Sequence, residues 1–132
     1  MKIGYLVIGA VVSLGLASAA AAADTKLKAK LSGASGSGEV SVKVSDSGEV
    51  CWDLTTKGLT DVTAAHIHKG AAGANGPPVV PFTAPDPKGA SKGCAKAGAD
   101  VAKDLVANPA GYYVNVHTKA APAGAIRGQL EK

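Results

Sequence analysis

Three short runs near the start of the chain confine the fold more than any other feature. Apolar residues fall at every second position: Leu27, Ala29 and Leu31, then Val40, Val42 and Val44, then Val50, Trp52 and Leu54. Side chains of a β-strand point alternately to opposite faces, so a period of two is the signature of a strand with one buried face. Between the runs, S-G-A-S-G-S-G from Ser32 to Gly38 reads as a flexible turn, and D-S-G at Asp46 to Gly48 as a hairpin signal. Trp52, the sole tryptophan, reads as a core anchor.

The alternation resumes further on. Gly58 turns the chain into D-V-T-A-A-H-I-H, a fourth strand with Ala65 and Ile67 inward and His66 and His68 on the outer face. In Y-Y-V-N-V-H-T, Val114 and Val116 face inward, while Tyr113, Asn115 and His117 face outward. A P-A-G turn at Pro122 to Gly124 precedes a last strand, in which Ile126, Gly128 and Leu130 point in while Arg127 and Gln129 point out. Asp100 to Ala107 predicts one short helix, with Val101 and Leu105 a turn apart, Asp100 as N-cap and Asn108-Pro109 ending it. Lys69 to Gly98 reads as a long irregular segment carrying Pro77, Pro78, Pro81, Pro85 and Pro87, with P-V-V-P-F as its one short edge strand. The pattern is all-β, with one short helix.

The first 23 residues have another character. Lys2 supplies a positive charge, Ile3 to Leu16 form an apolar run too short for a comfortable membrane span, and small residues precede Asp24. They read as a secretory signal peptide cleaved after Ala23, which makes the mature protein exported, periplasmic or secreted, with no membrane span after cleavage; the alternative is an uncleaved or lipid-anchored form, the latter unsupported because no cysteine sits at the cleavage point. Residues 24–132 are then one domain. Aromatics make up only 4% of the chain, which favours a compact, tightly turned domain over one enclosing a large cavity. The formal net charge of +4 falls by one when Lys2 is removed. Its lysines are scattered and no aromatic ladder accompanies them, so nucleic acid is excluded as a partner.

Cys51 and Cys94 are the only cysteines, and in an exported chain an even pair points to a disulfide. Such a bridge would tie a strand to the far end of the Gly/Pro-rich segment and contribute roughly 4 kcal/mol in the chain-entropy model. The competing readings are metal ligands or a redox couple, but the spacing fits neither a C-x-x-C motif nor a zinc ribbon.

His66, His68 and His117 are all the histidines the chain has. Residues i and i+2 of a strand lie on one face roughly 6.6 Å apart, near enough for two imidazoles to lean onto one ion. His117 on a second strand completes a candidate metal site. Three neutral imidazoles suit copper or zinc, and Irving–Williams ordering favours Cu(II). The opposing account has three solvated histidines on sheet surfaces.

The two blocks G-L-T-D-V-T-A-A-H-I-H-K-G-A-A-G-A-N-G-P-P-V-V and N-P-A-G-Y-Y-V-N-V-H-T, with P-A-G-A-I-R-G-Q-L after them, resemble the chordin-domain (CHRD) family. That family is found in microbial exported proteins and, as repeats, in the extracellular animal protein chordin. Its members commonly carry a phenylalanine where this chain has Ala121. The resemblance implies an immunoglobulin-like Greek-key β-sandwich or barrel related to Cu/Zn superoxide dismutases, and no settled function. Against the dismutases, His66, His68 and His117 match three copper ligands by position. There is no fourth histidine, no histidine cluster for zinc, and the cysteines sit elsewhere. Arg127 is a candidate anion guide, set against the plainer reading of an exposed strand arginine.

Three functions follow as expectations. The first is binding of a single copper ion, or zinc, through the three histidines. The second is an interaction module with an envelope or extracellular protein partner and no metal, the Gly/Pro-rich segment serving as contact surface. A superoxide dismutase-like enzyme comes last, weakened by the missing fourth histidine. Metal-free catalysis has no support, because no nucleophile elbow, carboxylate pair or phosphate-binding glycine loop is present.

Overall fold

A computed structural model describes residues 24–132 and, of the first 23 residues, only Gly4 and Gly9. The expected signal peptide otherwise lies outside the described residues. Eight strands, all paired antiparallel, form one sheet: β1 (Thr25–Gly33), β2 (Gly36–Val44), β3 (Glu49–Lys57), β4 (Val62–Lys69), β5 (Pro78–Phe82), β6 (Ala90–Lys96), β7 (Tyr112–Thr118) and β8 (Ile126–Gln129). A helix α1 (Ala99–Ala107) and a short 3-10 turn (Pro109–Gly111) lie between β6 and β7.

The spatial order is β5-β4-β7-β8-β1-β2-β3-β6, and the sheet curls until its two edges meet in a nearly closed barrel. Strands β4, β5 and β6 follow one another around the barrel, and β3 lies beside β6, which is Greek-key connectivity. At the seam between β5 and β6 side chains replace the missing ladder. Trp52 stacks on Phe82 with ring centroids 4.5 Å apart. Its indole N–H donates to the Ser91 hydroxyl at 3.0 Å, and that hydroxyl donates to the Thr83 carbonyl. The buried indole thus keeps its polar atom satisfied, as a core tryptophan must.

The alternating residues form the core as the period of two demands. Leu27, Leu31, Val42, Val50, Leu54, Ile67, Val114, Val116 and Ile126 are all buried in one cluster. Leu105 and Ala102 of α1 join it, so the helix caps one end of the barrel. The expected inward pair on the helix was Val101 and Leu105. Instead the helix starts at Ala99 with Gly98 at its N-cap, Asp100 makes no side-chain cap, and Val101 is only half-buried.

Two other expectations need correction. The segment from Ser32 to Gly38 is no flexible turn: β1 and β2 stay paired as far as Gly33 and Gly36, leaving a tight turn at Ala34 and Ser35. The long segment from Lys69 to Gly98 holds two strands rather than one, and Cys94 lies within β6, directly opposite Cys51 of β3. Their sulfurs are at disulfide distance, so the pair links neighbouring strands and not a strand to a loop.

Candidate functional site

Strands β4 and β7 pair with His66 opposite Asn115, His68 opposite Tyr113 and Ala64 opposite His117. With Ala65, Ile67, Val114 and Val116 committed to the core, the period of two sends all three histidines to the outer face. Neighbouring strands then bring together residues some fifty positions apart in the chain. Ring centroids lie 5.4 Å apart for His66 and His68, 5.2 Å for His66 and His117, and 5.7 Å for His68 and His117. One nitrogen from each ring lies within 4.8 Å of the other two.

The outer face here is partly covered: His68 is buried, while His66 and His117 are half-buried. His68 is 8% exposed, Asn115 5% and Tyr113 2%. The cover is the chain between β4 and β5, folded back over the sheet. Lys69 N–H donates to the Pro77 carbonyl, and Gly70 N–H to the Gly111 carbonyl. Gln129 donates to the Gly70 carbonyl at 3.0 Å, and Arg127 to the Ala74 carbonyl at 2.9 Å and the Asn75 amide oxygen at 3.2 Å. Gly76 passes so close to the Lys69 carbonyl that a Cβ there would collide with it. A shift in the β4–β5 register between Ile67 and His68 marks a bulge beside the site, where such irregularities often re-aim a side chain.

The hydrogen bonds determine which nitrogens remain free. His68 Nδ1 lies 2.9 Å from the Gly76 carbonyl, and His117 Nδ1 lies 2.9 Å from the Pro122 carbonyl. A carbonyl only accepts, so both Nδ1 atoms carry the proton, and in the neutral rings Nε2 keeps its lone pair. His68 Nε2, His117 Nε2 and His66 Nδ1 are buried and have no hydrogen-bond partner among the described residues. Asn115 Oδ1 on the same face shares that condition, although its amide N–H donates to the Ala123 carbonyl. Gly124 leaves room for this amide, which a Cβ would strike. Burial first, and then the charge His117 and His68 would carry, hold the His66 pKa below its ordinary 6.5.

A layer of contacts the sequence did not disclose supports His68. The Tyr113 ring stacks on it with centroids 5.0 Å apart at 10°. The Tyr113 hydroxyl accepts from Gly76 N–H, fixing the residue whose carbonyl holds His68. Over Tyr113 lies the Arg127 guanidinium, 3.6 Å from the ring centroid. Arg127 therefore stands beside the histidines, as the anion-guide reading requires, yet its nitrogens are engaged by the covering loop. The alternation already set Tyr113, Asn115 and His117 on one face with Arg127 outward on the next strand; it held no sign of the loop that bonds to Tyr113 and Arg127.

The architecture and the histidine cluster define an eight-stranded antiparallel barrel with a candidate metal site under a loop. The model of the CHRD domain matches residues 17–130, and the chain belongs to the CHRD domain family. Neither a curated protein nor a solved structure matches it, so the likeness to Cu/Zn superoxide dismutases is not shown. No helix among the described residues is long and apolar enough to cross a membrane.

Proposed function

We propose that this domain works outside the cytoplasm and binds one transition-metal ion, copper in preference to zinc, through His66, His68 and His117. The observation that carries the reading is the set of three buried nitrogens, one per histidine, without a partner among the described residues. An unpaired buried polar atom costs about 1–3 kcal/mol. A single ion would satisfy three lone pairs at once.

Two further features support it. Metal-bound imidazoles ordinarily donate their other N–H to a carbonyl or carboxylate, and His68 and His117 make that bond to Gly76 and Pro122. The lowered pKa of His66 keeps its ring neutral, as a ligand must be. Copper is preferred because Cu(II) stands above Zn(II) in the Irving–Williams order. The alternative of an envelope-protein interaction module relied on the Gly/Pro-rich segment as a contact surface. That segment turns its hydrogen bonds inward to His68, Tyr113, Arg127 and Gln129, which favours ion binding over docking. Export rests on the residues before Asp24, and the Cys51–Cys94 pair is compatible with an oxidising compartment.

Calorimetric titration of the untagged protein with Cu(II) and with Zn(II) tests the reading. One ion per chain is expected for the wild type, with the binding lost in a His66→Ala, His68→Ala double variant. Equal isotherms for the two proteins would overturn it.

A further inference from the structure

Arg127, Tyr113 and His68 are stacked one on another, and this arrangement bears on which ion the histidines take. The guanidinium carbon is 3.6 Å from the Tyr113 centroid, and the Tyr113 and His68 rings are nearly parallel, 10° apart, with centroids at 5.0 Å. Tyr113 is buried, so the positive charge is held behind a ligand ring across an aromatic spacer rather than across water. Arg127 is fixed there by the Ala74 carbonyl and the Asn75 amide.

On the ion's side of the stack, the donors carry no compensating charge. The cluster consists of three imidazoles, with no carboxylate or thiolate among its members. Asn115 Oδ1, the other unpartnered atom on this face, is a neutral amide. A divalent ion bound here would keep its full charge in a partly covered site with a fixed cation nearby, and both burial and like charge disfavour that more steeply as the ion's charge rises. Three nitrogen donors also suffice for closed-shell Cu(I), whereas Cu(II) favours square-planar or tetragonal coordination and needs at least one donor more.

We infer that Arg127 tilts the bound copper towards Cu(I), as the specificity-determining residue that acts through Tyr113 and His68 by disfavouring the divalent state. The inference rests on the metal-binding reading above. A unit charge at about 10 Å with an effective dielectric of about 20 discriminates between monovalent and divalent copper on the order of tenfold. For a one-electron couple, tenfold is about 59 mV.

The test is to measure Cu(I) affinity anaerobically by competition with a chromophoric Cu(I) chelator, and Cu(II) affinity by competition with glycine. Wild type, Arg127→Gln and Arg127→Lys are compared, with thermal unfolding of each recorded alongside. Arg127→Gln is expected to lower the ratio of Cu(I) to Cu(II) affinity about tenfold, with the potential of the bound couple falling accordingly. Arg127→Lys keeps the charge while giving up the planar contacts, and is expected to hold the ratio near wild type. If both variants weaken both ions equally, Arg127 only pins the loop and the inference is overturned while metal binding stands. If wild type binds neither ion, the metal-binding reading itself is overturned.

Discussion

A proton on His68 Nδ1 is held by the Gly76 carbonyl, and Gly76 is held in turn by the Tyr113 hydroxyl. Removing that hydroxyl leaves the ring stack in place and one backbone N–H without its partner. Tyr113→Phe is therefore expected to cost about 1 kcal/mol of stability and to weaken copper binding about tenfold; chemical denaturation and the chelator competition measure the two effects. The neighbouring tyrosine makes a different prediction. Tyr112 donates its hydroxyl to Asp104, and burial, that hydrogen bond and the carboxylate's charge push its pKa from 10.0 up to about 12. The folded state thus holds this proton more tightly than the unfolded chain. Its stabilising effect is complete below pH 10 and is lost as pH rises from 10 towards 12. Ultraviolet titration of tyrosinate should show one late-titrating tyrosine that is absent in Tyr112→Phe, and its persistence in that variant would contradict the assignment.

At the level of elements, the strands differ in how openly the sequence declares them. β1, β2 and β3 announce themselves because large apolar residues alternate with Lys, Ser and Asp. β6 does not, and Trp52 is the reason. The inward positions of β6 are Ser91, Gly93 and Ala95, and a Cβ on Gly93 would come within 2.9 Å of the Trp52 ring. Small residues make room for the indole, so the alternation that marks a strand is missing there. The histidine face shows the converse: the period of two set His66, His68 and His117 on the outer face, but His68 is held by Gly76 of the segment between Gly70 and Pro77, whose own local pattern carries no such signal. The register of β3 and β6 also sets Cys51 and Cys94 opposite each other. Replacing both with serine is expected to cost about 3 kcal/mol, lowering the melting temperature by roughly 15 °C. An unchanged melting temperature would show that the seven-residue β6 ladder alone holds that edge.

For the whole molecule, the barrel supplies the frame on which two adjacent strands bring the three histidines together. The core beneath it is continuous from Leu27 to Leu130, with α1 closing one end. Binding to a preformed site of this kind stabilises the folded state by mass action, by about 2.7 kcal/mol when free ion is at a hundred times its dissociation constant. Copper should therefore raise the melting temperature, and a chelator should restore the lower value. Copper content and affinity of the untagged protein beside His117→Ala test whether two strands, β4 and β7, build one site. One copper per chain is expected in the wild type, and loss of that copper in a variant whose His66 and His68 are intact. Equal copper in both proteins would contradict it.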